Sequence, residues 1–225
     1  MAKITYHGHS CVVVESQGKS VIIDPFLNGN SHAKIKPSEV KVDAIIVTHG
    51  HGDHIGDSIE IAKNNNCPII SNFEIANWCA AKGANVHPLH IGGSHIFEFG
   101  KVKLTPAVHG SSLPDGSYGG FPAGILLFMG GKCIYHAGDT GITSDMALYG
   151  RLNEIDVALL PIGDNFTMDI NDAVEAAVLL QTKAAMPMHY DTFPIIPADP
   201  KEFIEKVKER GIKGILCLPG ESVEI

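Results

Sequence analysis

Arginine is scarce in this chain of 225 residues, which contains only Arg151 and Arg210. Lysine and arginine together number 17 against 25 acidic residues, so the formal net charge is −8. Proteins that bind nucleic acids usually carry a basic patch or stripe, and no run of five basic residues occurs here. We therefore expect no nucleic-acid partner. A small anionic substrate is still compatible with this charge, because a metal ion supplies local positive charge.

Long apolar runs and paired cysteines are also missing. The longest apolar stretches, AGILLFM at 123–129 and IDVALLPI at 155–162, are far shorter than the about 20 residues of a membrane helix. The opening residues, MAKITYHGHS, lack the apolar core of a signal peptide. The five cysteines are scattered without a CxxC spacing, as in buried free thiols of a reducing compartment. We expect a cytoplasmic protein with no membrane partner.

The composition is that of a folded protein, with 44% hydrophobic and 19% charged residues. The length suits one domain spanning 1–225. Short apolar runs predict strands at 3–10, 11–16, 20–26, 42–49, 68–72, 95–100, 102–110, 123–141 (a hairpin turning at Gly130–Gly131), 155–163, 184–190 and 215–220. Helical spacing predicts helices at 58–66, 74–83, 168–182 and 199–211. This α/β order predicts two packed sheets with helices outside.

The densest polar cluster reads THGHGDH at 48–54 and follows an apolar strand pattern. His49 and His51 are two residues apart in an extended segment, so their side chains point to the same side. Asp53 and His54 follow a turn that the two intervening glycines permit. Histidine clusters of this kind mark metal sites. We predict two neighbouring metal ions, one bound by His49 and His51, the other by Asp53 and His54.

Three further candidate ligands follow apolar strand patterns elsewhere in the chain. His109 ends LTPAVHG, Asp139 follows CIYHAG, and His189 ends AAMPMH. Each alone is also compatible with a surface histidine or a turn aspartate, but as a set they complete two coordination shells. Nitrogen and oxygen ligands of this kind admit two divalent ions of zinc, manganese, iron, cobalt or nickel.

THGHGDH, His109, HAGDTG and MHY, in this order, resemble the ligand set of the metallo-β-lactamase superfamily. YHGHSC, IIDPFL, PIGDNFTM and MHYDTFP are similar to its small cytoplasmic branch of metal-dependent hydrolases, related to the ascorbate-6-phosphate lactonases. The resemblance runs nearly end to end and implies an α/β fold, a four-layer αββα sandwich with a dinuclear site at one edge. The implied ligands are His49, His51 and His109 for the first metal and Asp53, His54 and His189 for the second, with Asp139 bridging.

A dinuclear site of this kind predicts hydrolysis. Two divalent ions roughly 3.5–4 Å apart share a hydroxide and lower the pKa of bound water from about 15.7 to about 7. That hydroxide attacks a carbonyl or phosphoryl centre, so we predict a hydrolase of a small ester, lactone or phosphoester. Asp53 and His189 are the predicted catalytic residues, and Asp53 orients the nucleophile or carries a proton toward the leaving group. The motifs specify the superfamily well and the substrate poorly.

Five other residues are predicted to support the metals or contact the substrate. His7 and His9 lie in YHGHS near the metal edge that the resemblance implies, and Asp24 ends a strand where it can orient a ligand histidine. Thr167 precedes a helix whose amino terminus can receive an anionic group. Tyr190 follows His189 and can donate to an oxyanion. Turn histidines, a turn cap, a local hydroxyl contact and aromatic packing are the respective alternatives.

Three other classes of function stay open to comparison. Nucleases of the superfamily carry an added arm or clamp domain, for which 225 residues leave no room. Redox members bind two irons, replace a motif histidine with glutamate and add a flavin domain, whereas His51 stands here. A metal-binding protein without turnover is the third. A small-molecule substrate is the expected partner, and a homo-oligomer is compatible with the sequence.

Overall fold

Two β-sheets form the centre of the protein, as described for all 225 residues by a computed structural model. The strands are β1 (Lys3–Tyr6), β2 (Val12–Ser16), β3 (Lys19–Ile23), β4 (Ala44–Ile46), β5 (Ile69–Asn72), β6 (Val86–Leu89), β7 (Ser94–Phe97), β8 (Gly100–Pro106), β9 (Ala123–Met129), β10 (Lys132–His136), β11 (Val157–Pro161), β12 (Ala184–Met188), β13 (Lys213–Gly214) and β14 (Ser222–Glu224). The helices are α1 (Gly52–Ile55), α2 (Ser58–Asn65), α3 (Phe73–Ala81), α4 (Asp145–Leu152), α5 (Ile170–Leu179) and α6 (Pro200–Glu209).

Each sheet has seven strands. The first runs in the order β14-β1-β2-β3-β4-β5-β6 and the second in the order β13-β12-β11-β10-β9-β8-β7. Strand β3 shows how the layers form, because successive side chains face opposite sides. Val21 and Ile23 join the large core that contains residues of both sheets, whereas Ile22 joins the smaller core under α2 and α3. With α5 and α6 against the second sheet, the predicted four-layer αββα sandwich is confirmed.

Strand direction brings the chain's polar loops to one edge. In the first sheet, β1 and β3 are both antiparallel to β2, and β4 is parallel to β3. In the second sheet, β8 and β10 are both antiparallel to β9, and β10, β11 and β12 are parallel neighbours. The carboxyl ends of β1, β3 and β4 therefore lie at one edge of the first sheet, and those of β8, β10, β11 and β12 lie at one edge of the second. Loops at such edges usually carry function.

Local signals in the sequence account for several element ends. The β9–β10 hairpin turns at Gly130 and Gly131, whose φ values are 61° and 76°, as predicted. Asp169 caps α5 by accepting a hydrogen bond from the backbone N–H of Asp172 at 2.7 Å. All five cysteines are buried and free. None of the helices combines the length and the apolar character that a membrane span requires.

The predicted strand at 215–220 is wrong. Ile215 and Cys217 are buried and Leu216 and Leu218 are exposed, which imitates the alternation of a strand. The chain, however, crosses here from β13 in the second sheet to β14 in the first, so no neighbouring strand can pair with it along its length.

The sequence patterns also miss several elements, which are α1, α4, β6, β13 and β14. Gly150 lies inside α4 and lowers its helix propensity, but a Cβ at this position would lie 2.5 Å from the backbone of Leu180. Helix α4 therefore requires glycine where it approaches the end of α5. Strand β6 contains Pro88 and pairs only with β5 at the edge of the first sheet, where proline is tolerated.

Candidate metal centre

The residues that follow the strand patterns meet at one edge of the two sheets. In the first sheet, β3 leads into Asp24, and β4 leads into the segment 48–54, which runs into α1. In the second sheet, β8 leads to His109, β10 to Asp139 and β12 to His189. Side chains separated by up to about 165 residues of chain are thereby gathered, because parallel strands carry their ends to the same place.

His49, His51 and His109 form the first group, with one ligand atom from each residue within 4.8 Å of the others. His49 Nε2 and His51 Nδ1 are 3.0 Å apart. Two ligands of one tetrahedral ion, each about 2.0–2.1 Å from it, lie roughly 3.3 Å apart, so this separation suits a shared ion. The hydroxyl oxygen of Thr48 lies 3.0 Å from His49 Nδ1, which leaves Nε2 of His49 directed at the site.

Asp53, His54 and His189 form the second group together with His9, again with ligand atoms within 4.8 Å of one another. The rings of His54 and His189 are stacked with centroids 5.5 Å apart. His54 and His189 are buried, while the Asp53 side chain is 27% exposed. Asp53 is therefore the member of this group that is most open to the pocket.

Asp139 lies between the two groups. Its Oδ2 atom is 3.0 Å from His189 Nε2 and 3.3 Å from His54 Nε2 in the second group. The same atom is 3.5 Å from His109 Nε2 and 4.0 Å from His49 Nε2 in the first group. One carboxylate oxygen thus faces four imidazoles from both groups, which is the position that the bridging prediction requires.

The charges of this cluster favour a cation. Burial lowers the pKa of His54, but Asp139 and Asp24 outweigh it and raise that pKa well above its ordinary value. Burial raises the pKa of Asp139, but His54 and His189 outweigh it and hold that pKa well below its usual range. The buried atoms His54 Nε2, His189 Nε2 and Asp139 Oδ1 make no hydrogen bond in the protein. Buried lone pairs with no donor, beside carboxylates, fit divalent ions.

Asp24 orients candidate ligands through its hydrogen bonds. Its side chain is fully buried and accepts hydrogen bonds from the Thr48 backbone N–H at 2.8 Å and the Thr48 hydroxyl at 2.6 Å. The same oxygen that accepts from the hydroxyl lies 2.8 Å from His54 Nδ1. A proton on Nδ1 leaves Nε2 as the ligand atom of His54, and such partners fix ring orientation and raise ligand basicity. Asp24 thereby contacts one ligand directly and reaches His49 through Thr48.

His9 connects Asp53 to a loop of the second sheet. Its Nε2 lies 3.1 Å from Asp53 Oδ2, and its Nδ1 lies 2.5 Å from the hydroxyl of Thr192. Burial lowers the pKa of His9 to about 4, so the ring is neutral at pH 7 and donates from one nitrogen only. With Nε2–H donating to the carboxylate, Nδ1 accepts from Thr192.

The backbone is strained at these positions. His9, Asp24 and His189 have φ values of 59°, 47° and 55°, in the left-handed region that non-glycine residues rarely adopt. Such conformations persist only when the surrounding structure holds them, and they cluster at functional sites. The backbone N–H of His189 donates to the carbonyl of His9 at 2.8 Å, so a hydrogen bond between two strained residues stabilises both conformations.

Replacing Thr192 with valine tests the contact between the Thr192 hydroxyl and His9 Nδ1. Valine keeps the volume and removes the hydroxyl from His9 Nδ1, so the imidazole is free to change tautomer or rotate away from Asp53. We expect metal affinity and kcat/KM to fall roughly 10- to 100-fold, measured by competition with a chromogenic chelator and by steady-state kinetics. Thr192→Ser keeps the hydroxyl and should behave as the wild type. Equal metal affinity in Thr192→Val and wild-type protein would contradict a positioning role.

The other predicted residues lie apart from the ligand cluster. His7 is buried, and its Nδ1 makes no hydrogen bond. The Thr167 hydroxyl donates to the carbonyl of Met168 at 3.4 Å, which is the local contact given as its alternative. Tyr190 lines a separate cleft of about 450 Å³ with His32 and Lys34. Of the five supporting residues, the structure brings only His9 and Asp24 into contact with candidate ligands.

Sequence patterns miss several residues at the site. Phe166 and Phe193 line the pocket over the ligands, and Thr48 and Thr192 hydrogen-bond around the histidines. The available signal was nearness in sequence, because Thr48 precedes the candidate ligand His49 and Thr192 and Phe193 follow His189 closely, whereas Phe166 adjoins only Thr167. His136, by contrast, is buried with Nε2 2.9 Å from the carbonyl of Ser10, as in an ordinary satisfied core histidine.

Known proteins share the region of the chain that contains the candidate ligands. The model of the β-lactamase superfamily domain matches residues 3–189, which cover most of the chain and all seven candidate ligands. The chain belongs to the metallo-β-lactamase superfamily. A metal-dependent hydrolase from Bacillus thuringiensis is 53% identical over 228 residues, covering 99% of this chain and 100% of that protein. The chain is accordingly a metal-dependent hydrolase of the metallo-β-lactamase superfamily.

Solved structures agree with this membership. A metallo hydrolase from the hyperthermophilic archaeon Ignicoccus hospitalis superposes with a TM-score of 0.91 at 40% identity, covering 99% of this chain and 97% of that one. An isothiocyanate hydrolase from Delia radicum gut bacteria superposes with a TM-score of 0.78 at 21% identity, covering 99% of each chain. The second likeness is one of fold alone.

Proposed function

We propose that this metallo-β-lactamase superfamily member is a dinuclear hydrolase of a small ester, lactone or phosphoester. The observation that carries the proposal is Asp139, whose Oδ2 atom lies within 3.0–4.0 Å of imidazoles from both ligand groups. A carboxylate between the two groups is placed to serve an ion held by either of them. The residues that would hold the first ion are His49, His51 and His109, and those that would hold the second are Asp53, His54 and His189, with Asp139 shared.

Divalent ions at this place, of zinc, manganese, iron, cobalt or nickel, supply Lewis acidity and lower the pKa of water from about 15.7 to about 7. Asp53 then orients the attacking water. Burial raises the pKa of Asp53, but the hydrogen bond with His9 and the nearby His54 outweigh it and lower that pKa. A carboxylate that stays ionised is a strong hydrogen-bond acceptor and a poor store for a proton. Orientation of the nucleophile is therefore its better supported role.

The size of the pocket supports a small substrate. The cavity over the ligands measures about 240 Å³, below the about 300–1,000 Å³ of sites for drug-sized ligands. His189 lines this cavity together with Asp53, so both predicted catalytic residues face the place where a substrate would lie. A folded nucleic acid does not fit into such a cavity.

Metal analysis and a substrate screen test the proposal. Purified protein stripped by a chelator and reloaded with Mn, Zn or Ni should bind two ions per chain, and His49→Ala should bind fewer. His90→Ala is the matched control, because His90 is exposed and lies outside the ligand groups. The reloaded protein should hydrolyse lactones, aryl esters or bis-p-nitrophenyl phosphate. Fewer than one ion per chain, or no turnover of any of these compounds, would count against a dinuclear hydrolase.

A further inference from the structure

The pocket over the metal ligands has an aromatic wall. Seven side chains line it, and the two that are not candidate ligands are Phe166 and Phe193. The Phe193 ring stacks on Phe26 with centroids 6.2 Å apart and planes inclined by 30°. Both rings also meet His9 edge-on, with centroids at 5.5 Å for Phe26 and 5.4 Å for Phe193. We define Phe166 and Phe193 as the aromatic wall of the pocket, and Phe26 packs against Phe193 outside the lining.

Phe166 is held over the pocket at a cost to the backbone. Phe166 is 52% exposed, so hydrophobic burial does not fix its ring there. The two preceding residues, Asp164 and Asn165, have φ values of 54° and 50°, and two successive non-glycine residues in the left-handed region are costly. The Asp164 backbone N–H donates to the Met168 carbonyl at 3.0 Å and closes this loop. Strained backbone clusters at functional sites, and this strained loop places Phe166 in the lining of the pocket.

Fixed cations are missing from this pocket. None of its lining residues is lysine or arginine. Arg210 pairs with Glu175 outside the site, and Lys34 lines the separate cleft beside Tyr190. Sites for phosphoryl groups usually add arginine or lysine clamps to their metal ions. An ionised group placed against the aromatic wall would find no lysine or arginine partner among the lining residues, whereas an apolar group gains free energy there from burial.

We propose that the group next to the scissile bond of the substrate is uncharged and apolar and packs against the aromatic wall. This inference rests on the proposed function and selects, among its substrate classes, neutral carboxylic esters and lactones over anionic phosphodiesters. In the reaction, water adds to the acyl carbon and the bond from that carbon to the ester oxygen breaks. The departing oxygen takes up one proton of the water, so the products are a carboxylic acid and an alcohol, or one hydroxy acid from a lactone.

A matched pair of esters tests the charge selection. The p-nitrophenyl ester of hexanoic acid and the mono-p-nitrophenyl ester of adipic acid share the leaving group, the carbonyl and the chain, and differ in a terminal carboxylate. Metal-loaded protein should prefer the neutral ester at least about tenfold in kcat/KM, and kcat/KM should rise about two- to fourfold per methylene from acetate to butanoate. Phe166→Ala and Phe193→Ala should each reduce both dependences. Phe73→Ala is the control and should leave both dependences unchanged, because Phe73 is 53% exposed and lies outside the pocket.

Binding without turnover provides a second measurement. Metal-stripped wild-type protein should bind N-methylhexanamide more tightly than N-methylacetamide in NMR titrations, and Phe166→Ala should remove the difference. Equal turnover of the hexanoate and adipate esters, or selectivity that persists in Phe166→Ala and Phe193→Ala, would overturn the inference. Turnover of bis-p-nitrophenyl phosphate without ester turnover would also overturn it while leaving the hydrolase proposal intact. Turnover of none of the compounds by protein that holds two ions would count against the hydrolase proposal itself.

Discussion

Asp139→Asn should remove most of the activity and leave fewer than two metal ions per chain. The substitution keeps the shape of the side chain and removes its negative charge from the centre of four imidazoles, the nearest of which is 3.0 Å away. Since partners that only support a ligand cost 10- to 100-fold in metal affinity or activity, loss of the shared ligand should lower kcat/KM by more than about 100-fold. Metal content by elemental analysis and kcat/KM on an aryl ester measure the two effects.

Asp145→Asn is the control for this experiment, because Asp145 is exposed in the first turn of α4. It should keep the metal content and activity of the wild type. An Asp139→Asn protein that kept two ions per chain, with kcat/KM within about threefold of the wild type, would contradict the shared-ligand role.

The second large effect is expected for Asp24→Asn, at a residue that does not face the pocket. Asparagine tolerates the left-handed backbone found here, φ 47°, so the substitution tests the carboxylate and not the backbone. The amide has one acceptor oxygen and cannot serve the Thr48 backbone N–H, the Thr48 hydroxyl and His54 Nδ1 as the carboxylate does. We expect the free energy of unfolding to fall by about 1–3 kcal/mol and metal affinity to fall roughly 10- to 100-fold.

Urea unfolding of metal-stripped protein and competition with a chelator separate these two consequences. Asp156→Asn is a suitable control, because Asp156 accepts a hydrogen bond from the Cys133 backbone N–H at 3.0 Å. This contact lies at the amino-terminal ends of β10 and β11, away from the metal ligands at their carboxyl ends. Asp156→Asn should lower stability without changing metal affinity. If Asp24→Asn, like the control, lowered the free energy of unfolding and left the metal affinity unchanged, Asp24 would have a structural role and no role in orienting the metal ligands.

Strand-end position carried the prediction of the ligands, and its physical basis is simple. His109, Asp139 and His189 each follow an apolar run, and parallel strands bring such ends to one edge of a sheet. The structure gathers all seven candidate ligands there. The same reasoning predicts Asp24 and the family resemblance points to His9, and both contact candidate ligands.

Predictions failed where a local pattern competed with long-range packing. The apolar alternation at 215–220 suggested a strand, but the segment crosses between sheets and has no partner along its length. Helix α4 was missed because Gly150 weakens its pattern, although the close approach to Leu180 requires that glycine. Neither requirement is encoded in the residues of the segment itself.

The sequence alone determined the candidate ligands, because a dense ligand motif and strand-end positions are local patterns, and the resemblance of those motifs to the metallo-β-lactamase superfamily implied the αββα class. Only the tertiary structure decided which side chains surround those ligands. Thr192 meets His9 across 183 residues of chain, and Phe26 stacks on Phe193. Tyr190, adjacent to a ligand in sequence, faces a different cleft. Contacts of this kind depend on how loops from two sheets pack against each other. The spacing of residues along the chain does not predict that packing.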